Sequence, residues 1–160
     1  MSDAAARDRS DIPNVIAPPP LIYLVPLLLA LALHWRMPMS LLPSPWPLIA
    51  GPVLFIAGLC LVMPALAAFG RAKTRPQPWR PSTALVIEGP YRFTRNPMYV
   101  GFTLIHLGIT CAVNSVWPLL SLVIVLPVMQ LFVIRREERY MERRFGAAYR
   151  EYMTRVRRWI

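Results

Sequence analysis

Three stretches without a single charged side chain constrain this sequence more than anything else in it. No Asp, Glu, Lys or Arg occurs from Ile12 to Trp35, from Met37 to Gly70, or from Asn96 to Ile134. The runs are 24, 34 and 39 residues long, together 97 of 160. A hydrocarbon core about 30 Å thick takes about 20 helical residues, and ordinary soluble domains do not carry three such runs. The first run predicts one span over residues 21–35. The second predicts one over 46–69, after a lead containing Pro38, Pro43, Pro45 and Pro47. A single helix through the third would be about 58 Å long, so that run folds back on itself. Asn114-Ser115, followed by Trp117-Pro118, is the natural turn. It yields spans at 97–113 and 116–134. The expectation is an all-α membrane protein with four transmembrane helices: a tail over 1–20, then a single domain over 21–160.

Charge supports this count. The chain is 56% hydrophobic yet carries 18 Lys+Arg against 8 Asp+Glu, a net charge of +10. A nucleic-acid binder or a disordered basic tail of that charge would be far more polar, so no nucleic-acid partner is expected. With four spans, the N-terminus, residues 71–95 and residues 135–160 share one side. They hold 2, 6 and 9 Lys/Arg, or 17 of the 18, and all eight acidic residues. Only Arg36 lies opposite. The positive-inside rule assigns that side to the cytoplasm, termini included. Met1–Asn14 mixes Arg7 and Arg9 with Asp3, Asp8 and Asp11 and lacks a cleavage pattern, so it reads as a tail and not as a signal peptide.

Within the spans, Gly51 and Gly58 are seven apart, as are Gly101 and Gly108. Seven residues return to nearly the same helix face, which suits close helix packing within one chain or between two, so the oligomeric state stays open. Cys60 and Cys111 fall inside spans as small apolar fillers. His106 is a functional candidate by depth, or the donor of a hydrogen bond to a neighbouring helix. Two His, two separated Cys and no carboxylate in the spans suggest no metal site. Dinucleotide, P-loop and nucleophile-elbow motifs are absent from the sequence.

Two polar zones carry the candidate chemistry. In the first, Asn96 is a good helix cap and Pro97 a good first helical residue. That helix start offers free N–H groups, with Arg95 beside it, to an anion. In the second, Glu137-Glu138 sit among Arg135, Arg136 and Arg139: a mutually paired charge cluster, or a carboxylate pair for a cation. Both zones lie at the same end of adjacent antiparallel spans, so an anion site and a cation site fall side by side, as a zwitterionic amino-acid moiety requires. After them, Met141, Phe145, Ala148, Tyr149, Tyr152 and Val156 follow helical spacing, with Gly146 interrupting. This amphipathic C-terminal helix reads as an anchor on an anionic lipid surface.

The stretch from Glu88-Gly89-Pro90-Tyr91 through Arg95-Asn96-Pro97-Met98-Tyr99 to Gly101 resembles the signature of isoprenylcysteine carboxyl methyltransferase-like and phospholipid methyltransferase-like membrane enzymes. Glu137-Glu138, Phe145-Gly146, Tyr149 and Tyr152 resemble the same family's closing motif. The resemblance covers about residues 70–160. It implies S-adenosylmethionine as methyl donor, held by Thr83, Ala84, Leu85, Val86, Tyr91, Arg95, Asn96, Pro97, Met98, Tyr99, Glu137 and Glu138. It also implies a lipophilic acceptor taken from the bilayer, either an isoprenylcysteine-like carboxylate or a phospholipid amine. The resemblance departs at one position: eukaryotic members usually have His where this chain has Asn96, which binds but cannot exchange a proton near neutral pH. The family's substrate-contacting arginine falls at Arg135 or Arg136. Two other classes compete: a nicotinamide-dependent membrane reductase with a similar C-terminal region, and a non-catalytic lipid-binding membrane protein.

Overall fold

A computed structural model describes residues 12–77 and 80–160. Most of the tail expected over 1–20 therefore lies outside the described residues. Among those described, the fold is helical and holds no strand. Helix α1 covers Pro19–Arg36 and α2 covers Trp46–Arg71. A connection with one 3₁₀ turn at Gly89–Arg92 leads to α3, Pro97–Val113. Helix α4, Val116–Val128, continues without a break through a π-helical segment, Met129–Ile134, into α5, Arg135–Phe145. A last short helix, α6, spans Ala147–Arg155. Among the described residues, three helices are long and apolar enough to cross a membrane: α1, α2 and the continuous Val116–Phe145 helix. Helix α3 is apolar but shorter, at 17 residues.

The glycine spacing becomes one interface, between α2 and α3, the most extensive helix pairing in the molecule. A Cβ added at Gly58 would lie 2.7 Å from the Gly101 carbonyl oxygen. One at Gly108 would lie 2.6 Å from the Phe55 nitrogen and 2.9 Å from the Gly51 oxygen. The two pairs therefore spend their groove on each other inside one chain, and so are not left for a second copy.

The fold-back occurs at Asn114-Ser115. Asn114 takes the left-handed conformation (φ 53) that Asn tolerates. Its Oδ1 accepts from the Leu41 and Leu42 nitrogens at 3.0 and 2.7 Å, and its Nδ2 donates to the Leu42 carbonyl at 3.0 Å. One side chain thus fixes the turn and pins the α1–α2 connection beside it. His106 is buried with Nε2 3.1 Å from both the Pro118 carbonyl and Ser121 Oγ, which joins α3 to α4. Its hydrogen-bonding alternative accounts for it.

Candidate functional site

The site assembles at the end of the bundle where α2 stops, α3 starts and α4 passes into α5. Pro127 cannot donate to the helix ladder, and the widened π turns begin two residues later. Leu122, Val125, Met129, Val133 and Ile134 stay buried through the change of pitch. Charges begin at Arg135, and the first turn of α5 then aims two consecutive carboxylates at different partners. Glu137 reaches α3, where the Tyr99 hydroxyl donates to its Oε1 at 2.6 Å. Glu138 reaches two guanidiniums. Arg158 holds it through Nε at 2.9 Å and Nη2 at 2.6 Å, and Arg95 Nη1 lies 3.0 Å from its Oε1.

The two glutamates are therefore not equivalent. Glu138 is doubly neutralised, and the Arg95–Glu138–Arg158 triad carries a net positive charge. Glu137 has a neutral phenol as its hydrogen-bond partner, and an ionised carboxylate in that position favours a cation. Arg95 is 11% exposed, and its Nε and Nη1 make no aligned hydrogen bond despite the ion pair. Donors in that state keep hydrogen-bonding capacity for a further acceptor beside Glu138. Arg95, with two donors left without an aligned acceptor, and Glu137, a carboxyl that burial pushes up to about 7 and that has no cationic partner, line the same cavity.

That cavity holds about 770 Å³ of empty space, its open mouth included. Its lining is rich in aromatics: Phe69, Tyr91, Tyr99, Tyr140, Tyr149 and Tyr152. Phe69 and Tyr91 meet edge to face at 5.6 Å. The Tyr140 hydroxyl accepts from the Ser82 nitrogen at 2.9 Å, and the Tyr152 hydroxyl donates to the Tyr91 carbonyl at 2.7 Å. Burial pushes the Tyr91, Tyr149 and Tyr152 phenols up, Tyr149 to about 12, so none is a base at neutral pH.

The C-terminal stretch closes the site in a way its periodicity did not predict. Gly146, at φ 54, splits it into α5 and α6. Tyr149, Tyr152 and Val156 then pack against Leu85, Met141 and Phe145, so the apolar face expected on lipid is buried on the chain itself. The chain continues past α3's start: the Arg95 nitrogen donates to the Arg157 carbonyl at 2.9 Å, and Asn96 Nδ2 to the Arg158 carbonyl at 2.8 Å. Asn96 therefore makes no side-chain cap. The Tyr99 and Val100 nitrogens bond its backbone oxygen, and Pro97 has no N–H, which leaves the Met98 N–H at the helix start. The anion site expected from a free helix end reduces to that group and Arg95.

The family model for phospholipid methyltransferases matches residues 46–148, more than half of the chain. The chain belongs to the phospholipid methyltransferase family. It is also 40% identical over 63 residues to an uncharacterised protein of Haemophilus influenzae, a match covering 39% of this chain and all of that protein. No solved structure matches. Membership carries the family's methyltransferase activity and, with three helices of spanning length, a multi-pass integral membrane protein.

Of the residues the family resemblance nominates, Leu85, Val86, Tyr91, Arg95, Asn96, Met98, Tyr99, Glu137 and Glu138 line the cavity together. Thr83, Ala84 and Pro97 do not. Thr83 instead ties the connection to the end of α2, its nitrogen donating to Thr74 Oγ1 at 3.0 Å. Pro97 is buried under the start of α3. Neither Arg135 nor Arg136 lines the cavity: Arg135 is exposed, and Arg136 donates to the Asn14 carbonyl at 2.6 Å. Arg158 was missed. A guanidinium twenty residues after its partner shows no local pattern, and only the reversal at Gly146 brings the two together.

Proposed function

We propose that this protein is a four-span membrane methyltransferase that takes S-adenosylmethionine from the cytoplasmic side and methylates a lipophilic acceptor. The observation that carries the reading is the opposed pair facing one aromatic cavity: Glu137 without a cationic partner and Arg95 with two unsatisfied nitrogens. These residues fit the donor. Glu137 suits its ammonium, and Arg95 with the Met98 N–H suits its carboxylate. The faces of Tyr91, Tyr99 and Tyr149 suit a sulfonium. When bound, the donor supplies a methyl group whose carbon–sulfur bond breaks as the acceptor's lone pair forms the new bond, releasing neutral S-adenosylhomocysteine. The chain's own work is to orient the reactants, exclude water and hold an aromatic wall around the positive centre.

Helix α3, though short, lies along the membrane-length α2 and joins the Val116 helix by a tight turn, which supports a fourth crossing and termini on the Lys/Arg-rich side. Burial keeps the Tyr91, Tyr149 and Tyr152 phenols protonated, and Asn96 holds no titratable proton. Glu137, whose carboxyl burial pushes up to about 7, is the one base these residues offer near neutral pH, and the donor's ammonium claims it, which leaves no free base at the transfer point. A carboxylate acceptor needs none, and we infer that class first. Methylation of a phospholipid amine, the second reading, rests on the family's description. It requires the amine to arrive unprotonated or to release its proton to Glu137.

Calorimetry with S-adenosylhomocysteine on the detergent-solubilised protein tests the donor assignment. Saturable binding weakened by Glu137→Gln is expected. Absence of binding at millimolar concentration would remove the reading.

A further inference from the structure

The last three residues border a second cavity, and one of them reaches into the wall of the first. Toward the donor side, Arg158 grips Glu138, which lines the aromatic cavity. Toward the other side, Arg158, Trp159 and Ile160 border an open groove between α3 and α4, with about 1300 Å³ of empty space. The groove walls are apolar, with Val100 and Leu104 from α3, Leu126 from α4 and Leu131 from the π-helical segment that continues it. Its polar end holds Gln130, whose Oε1 accepts from Trp159 Nε1 at 2.9 Å, and the Arg158 guanidinium.

Charge decides what this groove suits. Glu138 takes Nε and Nη2 of Arg158, while Nη1 makes no hydrogen bond among the described residues. The Arg158 side chain is 37% exposed, and its triad with Glu138 and Arg95 has one positive charge in excess. An excess cation at the head of an apolar groove attracts an anion attached to an apolar chain and repels an ammonium. We propose that the groove holds a lipophilic molecule by its chain and that the Nη1 edge of Arg158 holds its anionic head, a carboxylate or a phosphate. Arg158 is then a specificity-determining residue of the groove, and the head rests one ion pair, Arg158–Glu138, away from the donor pocket. The proposal builds on the donor assignment above, because only with the donor in the aromatic cavity is this occupant the methyl acceptor.

The test uses quenching of tryptophan fluorescence in the full-length protein, without donor present. Three brominated probes share one long alkyl chain: a carboxylate, a phosphate monoester and the uncharged methyl ester. The saturable quenching should vanish in Trp159→Phe. Either anion should bind about tenfold or more tightly than the ester, as expected for one charge-assisted contact. Arg158→Gln should erase that preference without changing ester affinity, Arg158→Lys should restore part of it, and Leu104→Phe should weaken all three probes. Whichever anion prevails names the head. Equal affinity for anions and ester, or a preference that survives Arg158→Gln, would overturn the proposal. If Arg158→Gln does not fold, Arg158→Lys and Leu104→Phe still decide it. Because no donor is present, failure of S-adenosylhomocysteine binding refutes the function and leaves this result standing.

Discussion

Two adjacent glutamates should fail in opposite ways when neutralised. Glu138 is 12% exposed and bridges Arg95, 11% exposed, and Arg158, 37% exposed. Glu138→Gln leaves two guanidiniums facing each other with no anion between them. Removing one partner of a fully buried pair costs about 3–5 kcal/mol. The exposed edge of Arg158 lowers that to roughly 2–4 kcal/mol, since water screens part of the charge. Glu137→Gln is different. Its amide oxygen can still accept from the Tyr99 hydroxyl, and a carboxylate without a cationic partner is removed, so stability should move by less than about 1 kcal/mol. What it loses is the ionic bond to the donor's ammonium, about 1.5–3 kcal/mol, or roughly 10- to 150-fold in affinity. Thermal unfolding and S-adenosylhomocysteine calorimetry on both variants separate the effects. Equal phenotypes, or Glu137→Gln as the destabilised variant with unchanged affinity, would refute the division of labour.

Other expectations follow from the same geometry. Gly108→Ala puts a methyl group against the backbone of Phe55 and Gly51 and should cost roughly 1–3 kcal/mol despite Ala's better helix propensity, whereas Gly70→Ala, with nothing within 4 Å, should not destabilise; melting of the two variants checks it. Asn114→Ala removes three hydrogen bonds and strains a left-handed residue; it should lower stability by about 2–4 kcal/mol in denaturant titrations and leave donor affinity within about threefold. The Tyr149 phenol is pushed from 10 to about 12 by burial, so its protonated form favours the fold: that stability is complete below pH 10 and is lost as pH rises through about 12. Melting temperature should therefore fall above pH 10, less steeply in Tyr149→Phe.

Much of this molecule is local enough to read from one dimension. Uncharged runs set the long helices, and Asn114 marks its turn because a short polar side chain tolerates φ near 53 and bonds nearby backbone. The glycines announced a close approach through their spacing alone, although whether the partner was α3 or a second copy needed the packing. The C-terminal stretch was misread for a physical reason. Periodicity identifies an apolar face but not what covers it, and the positive φ at Gly146 turned that face onto Leu85 and Met141 in place of a lipid surface. Asn96 shows the same limit: a good capping residue by type, it donates instead to the Arg158 carbonyl, a partner 62 residues away. Glu137 and Glu138 were visible as a pair, but their different roles arise from Tyr99, Arg95 and Arg158, which two separate segments, the start of α3 and the C-terminal tail, bring to them.

The most direct measurement is transfer of radiolabel from methyl-labelled S-adenosylmethionine by the purified protein in lipid nanodiscs supplied with an isoprenylcysteine-like carboxylate, or with a phospholipid amine in parallel. The account predicts label in the organic extract, released as methanol by base when the carboxylate is the acceptor. It also predicts loss of that label in Glu137→Gln at donor concentrations that saturate the unmodified protein. Full transfer by Glu137→Gln at limiting donor, or no label in any extract from a protein that stays folded, would contradict it.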